Sequence, residues 1–100
     1  AAKGGIEAMV RATAASYASR GLRINAIAPS LTDTPLSQAI VGSEQALEIS
    51  KRMHPTGAIG QASDVASLAA WLHSDKAKFV TGQTFVIDGG ISKIVPKPKA

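Results

Sequence analysis

The sequence predicts an α/β protein, a portion of a doubly wound parallel sheet with helices on both faces. Three observations predict it. Between Leu22 and Ala28, Ile24, Ala26 and Ala28 alternate with Arg23, Asn25 and Ile27, a run apolar enough on both sides for a strand covered by helices on both faces. A helical pattern from Lys3 to Arg20 enters that strand with only Gly21 between them, which is half of a parallel βαβ unit. A second apolar strand, Thr84 to Ile87, follows only after a long return.

The first helix carries Ile6, Val10, Thr13 or Ala14 and Tyr17 on one stripe, while Ala8, Ala12 and Ala15 offer close approach to a neighbour. Arg20 suits the last turn of a helix, and Gly21 suits its C-terminal cap. Pro29 ends the strand because it fixes φ and donates nothing to a ladder. A loop to Pro35 leads to a short helix around Leu36 to Val41, a break at Gly42, and a helix from Glu44 to Met53 capped by Ser43. His54-Pro55-Thr56-Gly57 reads as a turn. Ser63 is expected to cap the next helix, with Asp64 facing its dipole and Val65, Ala66, Leu68, Ala69 and Leu72 on the buried face up to Ser74. Asp88-Gly89-Gly90 turns the chain away from the last strand.

The 100 residues, 45% of them hydrophobic and few aromatic, fit one small globular unit over residues 1–91 followed by a basic Pro/Lys tail over residues 92–100. No stretch is apolar enough to span a bilayer, no secretory leader is visible, and no cysteine is present, which together lead us to expect a cytoplasmic protein without membrane association. The net charge of +4 invites a nucleic-acid reading until its location is considered. Lys93, Lys97 and Lys99 lie in the tail, so the rest is nearly neutral, and no basic face with stacking aromatics emerges. No nucleic-acid partner is expected.

Three motifs stand in sequence: Ala1-Ala2-Lys3-Gly4-Gly5, the strand-to-loop junction Asn25-Ala26-Ile27-Ala28-Pro29-Ser30-Leu31-Thr32-Asp33-Thr34-Pro35, and Thr81-Gly82-Gln83-Thr84-Phe85-Val86-Ile87-Asp88-Gly89-Gly90. In this order they resemble the C-terminal part of a short-chain dehydrogenase/reductase. The resemblance implies a Rossmann-like fold, an NAD or NADP cofactor, a small organic substrate with a hydroxyl or carbonyl group, and a homo-oligomer, a dimer or tetramer. Lys3 matches the lysine of the family's Tyr-x-x-x-Lys pair, so the tyrosine would stand two positions before Ala1. The dinucleotide Gly-rich turn, the residue that chooses between the two cofactors, and the catalytic serine and asparagine are likewise expected upstream. These residues are therefore read as part of an enzyme, incomplete and inactive alone.

The resemblance assigns Lys3 both a catalytic and a cofactor-binding place. A tyrosine accepts a proton near neutral pH only if a cation stabilises its phenolate, and the family's lysine also bonds the nicotinamide ribose. Without the neighbouring motifs, Lys3 is a surface lysine paired with Glu7. The strand-end loop Pro29, Ser30, Leu31, Thr32 and Thr34 is assigned to the cofactor: Pro29 packs on the ring, the Thr32 backbone reads the carboxamide, and the Thr34 hydroxyl bonds the carboxamide or a phosphate. The loop departs from the family twice. Ser30 stands where most relatives have glycine, which shifts the loop or adds a hydroxyl, and Thr32 replaces a β-branched aliphatic residue. The bland reading of Ser30, Thr32, Asp33 and Thr34 is turn formers and helix caps.

Asn25 is expected to bond neighbouring backbone, Asp88 to accept within its turn, and Trp71 and Phe79 to pack in the core or at a subunit contact. His54 and His73 are singletons without metal-ligand spacing, so no metal is expected. Family members commonly associate through the helix that begins near Lys3 and through the last strand. A competing reading is a non-catalytic fragment that serves as an oligomerisation or regulatory module.

Overall fold

The computed structural model describes residues 2–97, with side chains between residues 4 and 97. Lys99 and Ala1 lie outside the described residues. The elements in order are α1 (Ala2–Tyr17), a 3-10 turn (Ala18–Arg20), β1 (Ala26–Pro29), β2 (Thr32–Asp33), α2 (Pro35–Val41), α3 (Glu44–Met53), β3 (Gly60–Gln61), α4 (Ala62–His73), a second 3-10 turn (Asp75–Ala77) and β4 (Thr84–Ile87). β1 pairs with β4, and β2 pairs with β3. The architecture is the α/β alternation that the sequence predicts.

The chain divides into two compact units, residues 1–28 with 66–86, and residues 29–65 with 87–100. In the first unit, α1 buries Val10 and Ala14, and Ala77 is buried with no accessible surface. Ile6 and Tyr17, expected on the same stripe, stay substantially exposed, and so do Ala8, Ala12 and Ala15. Gly21 closes the 3-10 turn at φ 78°, a left-handed conformation that a side chain would strain.

The first strand is shorter than expected. Residues 22–25 are not ladder-paired, and β1 begins at Ala26 and includes Pro29 as its last residue. The physical reason is that side chains replace the ladder there. Thr81 Oγ1 accepts from Ile24 N–H at 3.1 Å, Asn25 Nδ2 donates to Val80 C=O at 3.1 Å, and Asn25 Oδ1 accepts from Gln83 N–H at 3.1 Å. The backbone resumes the pairing with Gly82 N–H to Ile24 C=O and Ala26 N–H to Gln83 C=O. Arg23 reaches the carbonyls of Leu72 at 2.8 Å and Val80 at 3.3 Å, so a cation sits at the C-terminal turn of α4. Phe79 is fully exposed and Trp71 is partly so, which excludes a core role for Phe79 among the described residues.

In the second unit, Thr34 caps α2 and Ser43 caps α3, each accepting from the backbone N–H three residues on at 3.1 Å. Ser37 answers Thr34 reciprocally, donating from its own N–H and accepting from Thr34 N–H at 2.9 Å, a capping box. Ser63 does not cap α4 as expected: the helix starts at Ala62, and Asp64 accepts from Gln61 N–H at 2.8 Å. β2 and β3 form a parallel two-residue ladder, Thr32 opposite Gly60 and Asp33 opposite Gln61. Asp88 accepts from Gly90 N–H and Ser92 N–H, and it also bonds the Ser92 hydroxyl, which makes it the local turn acceptor expected. Backbone bonds of that turn run on to Ile94.

Candidate functional site

Four of the sequence-predicted site residues form one continuous loop, Pro29 to Thr32, with Thr34 two positions on, all within the second unit. Lys3 lies in the first turn of α1 by its backbone, and its side chain falls outside the described residues. The loop emerges where β1 ends, the place where an open α/β sheet presents ligand-binding groups.

Ser30, Leu31 and Thr32 are each held by a hydrogen bond. Ser30 N–H donates to Ile87 C=O at 3.0 Å, and Ser30 C=O accepts from the Thr32 hydroxyl at 3.0 Å. Leu31 C=O accepts from Gly60 N–H at 3.0 Å. In a parallel ladder with Thr32 opposite Gly60, this bond means that Leu31 C=O and Asp33 N–H face β3. The N–H and C=O of Thr32 therefore point away from β3, a donor and an acceptor side by side. Thr34 spends its hydroxyl oxygen on the α2 cap, and its hydroxyl proton has no acceptor among the described residues. Gln38 Nε2 donates to Asp33 Oδ1 at 3.0 Å and steadies the start of α2 on β2. The turn-former and helix-cap reading thus holds for Thr34, while the Thr32 backbone presents its N–H and C=O on the side away from β3.

Sequence reasoning missed His54. It is 5% exposed, the one buried polar side chain among the described residues, and it joins the loop to the end of α3. Its Nδ1 lies 2.7 Å from Ser50 C=O and its Nε2 lies 3.0 Å from Ser30 Oγ. Gly89 packs against it: a Cβ there would lie 3.5 Å from His54 Cβ and 2.7 Å from Thr56 Oγ1. With Gly89 at φ 59°, glycine is required by both space and backbone angle. Ser30, Thr56, Ala58, Gly60, Asp64 and Gly89 line a small cavity of about 190 Å³ beside this pair, together with Ile59 and Ile87.

Residues 1–92 match the family model described as enoyl-(acyl carrier protein) reductase. The chain belongs to the short-chain dehydrogenase/reductase family. It is 41% identical over 92 residues to 3beta-hydroxysteroid dehydrogenase 1 of Eggerthella lenta, covering 92% of this chain and 35% of that protein. It is 43% identical over 89 residues to cyclohexanol dehydrogenase of an Acinetobacter species, covering 89% of this chain and 34% of that one. Among solved structures, a short chain dehydrogenase family protein of Francisella tularensis matches at a TM-score of 0.85 and 31% identity, over 90% of this chain and 41% of the other. A 4-hydroxyisoleucine dehydrogenase complexed with NADH matches at 0.84 and 27%, over 93% and 38%. The chain thus spans about a third of the length of the curated relatives it matches. No helix among the described residues is long and apolar enough to cross a membrane.

Proposed function

We propose that these residues are the C-terminal portion of an oxidoreductase that transfers a hydride between NAD or NADP and a hydroxyl or carbonyl group of a small organic molecule. The observation that carries this reading is the Thr32 backbone at the strand end, whose amide and carbonyl both turn away from their own ladder. A nicotinamide carboxamide is planar and needs one donor and one acceptor in one plane, and a strand-end peptide offers such a pair. The residues therefore fit the group. Relatives named dehydrogenases and a family neighbour complexed with NADH support the cofactor class.

When bound, the nicotinamide supplies or accepts the hydride. Pro29 offers an apolar face at the end of β1, Thr32 orients the carboxamide, and Thr34 retains a hydroxyl proton for the carboxamide or a phosphate oxygen. Lys3 is placed by family resemblance one helical turn after a tyrosine, where its ammonium favours the phenolate that accepts the substrate proton. The full-length parent is proposed to be cytoplasmic, in keeping with a chain without cysteine. The test is the coding sequence upstream together with dinucleotide binding by the full-length parent. A tyrosine four positions before Lys3 and a Gly-rich strand-turn-helix are expected, and their absence rejects the reading.

A second copy of the protein is the proposed partner. The exposed small-residue stripe of Ala8, Ala12 and Ala15 on α1 allows close approach of another helix, and Phe79 stands fully exposed.

A further inference from the structure

α3 ends without the backbone bond that would satisfy Ser50. His54 N–H, which a continuing helix would give to Ser50 C=O, donates to Lys51 C=O at 3.2 Å. The His54 side chain takes the vacant place. Its Nδ1 lies 2.7 Å from Ser50 C=O, and because a carbonyl can only accept, the proton of a neutral imidazole sits on Nδ1. Nε2 is then a lone pair, and at 3.0 Å it accepts from the Ser30 hydroxyl. One ring thus closes the last turn of α3 with one nitrogen and holds the strand-end loop with the other. The ring is confined: it is 5% exposed, and a Cβ placed on Gly89 would lie 3.6 Å from its Cδ2. No other hydrogen bond among the described residues joins residues 29–34 to α3.

We infer that His54 is a positioning residue that couples the order of residues 29–34 to the last turn of α3, so that a dinucleotide ordering the loop also tightens the helix end. This rests on the oxidoreductase reading above, which puts the dinucleotide on the loop, and it needs no contact between the ligand and Ser30 Oγ or His54. Opening of the last turn carries the imidazole away from Ser30 and breaks the bond at Nε2. The loop keeps its backbone bonds to Ile87 and Gly60, so it loses that one tie and no other. Coupling of this kind is reciprocal, and its size is bounded by one neutral hydrogen bond, about fivefold in an equilibrium constant.

The experiment is amide hydrogen exchange of the full-length parent at about pH 8, where an ordinary imidazole is neutral, free and saturated with NAD or with NADP. Saturation removes differences in affinity from the comparison. In the wild type, bound dinucleotide should slow exchange over residues 30–34 and also slow the amides of Met53 and His54 about fivefold. Ser30→Ala cuts the tie and leaves the imidazole on Ser50 C=O, so the helix cap survives while the ligand's effect on the last turn should fall to within about twofold of none. His54→Phe should abolish that effect as well, and His54→Gln, whose amide can donate to Ser50 C=O and accept from Ser30, should restore it. A ring that only caps α3 would leave the effect in Ser30→Ala at its wild-type size, and that result overturns the inference. So does a wild-type loop that slows with ligand while Met53 and His54 do not. In both cases the oxidoreductase reading stands, whereas a wild-type parent that binds neither dinucleotide overturns both.

Discussion

Asn25→Ala tests whether side chains substitute for the ladder ahead of β1. Asn25 Nδ2 donates to Val80 C=O and Asn25 Oδ1 accepts from Gln83 N–H, each at 3.1 Å, and alanine removes both. Neither backbone group is fully orphaned. Val80 C=O keeps its bond from Arg23 Nη1 at 3.3 Å, and Gln83 is exposed, so water reaches its N–H. The desolvation penalty for a stranded buried group therefore does not apply, and the loss is two net hydrogen bonds, about 2 kcal/mol. For a domain of the relatives' length this lowers Tm by about 4–8 °C. Thermal unfolding of the full-length parent followed by circular dichroism measures it. Gln83→Ala is the control, since the backbone N–H that Asn25 holds is unchanged, and an exposed side chain costs under about 0.5 kcal/mol. An Asn25→Ala protein that melts within about 1 °C of wild type refutes the reasoning, because backbone pairing alone would then carry the segment.

Three further outcomes are expected of the full-length parent. Lys3→Ala should lower both turnover and dinucleotide affinity, whereas Arg11→Ala, further along the same helix, should leave both near wild type in steady-state kinetics and calorimetry. Thr34→Ala should cost about 1 kcal/mol through the lost α2 cap, and Thr34→Ser should cost little, both read from denaturant midpoints. Light scattering should find a symmetric dimer or tetramer, and Ala12→Glu on the exposed stripe of α1 should shift it toward monomer; a parent that stays monomeric at all concentrations rejects the association.

Elements with strong local signals were legible in the sequence. β4 has its expected bounds, α3 starts after its Ser43 cap, and the left-handed Gly21 and Gly42 end the elements before them. What was illegible depends on partners distant in sequence. Residues 22–25 read as strand because their alternation is strand-like, yet Thr81 and Asn25 side chains take the bonds that would have made a ladder. β2 and β3 are too short to have a period, and their pairing joins residues 28 apart. Ser63 lost the α4 start because Asp64 already holds Gln61 N–H. At the site, Ser30 stood out as a departure from the family, but His54 did not. Side-chain spacing identifies a histidine by its carboxylate or metal partners, and this one is held by a hydroxyl 24 residues away and a backbone carbonyl.

The buried imidazole constrains how this loop can change over generations. Replacing Ser30 by the glycine common in the family would strand Nε2 of His54 in a site that is 5% exposed, a loss of about 1–3 kcal/mol before any effect on ligand. Replacing His54 first would only free the hydroxyl of half-buried Ser30 to turn. The glycine step is penalised as long as His54 remains, so position 30 should depend on position 54. Among descendants of this sequence, a glycine at 30 should therefore arrive with a side chain at 54 that asks for no donor.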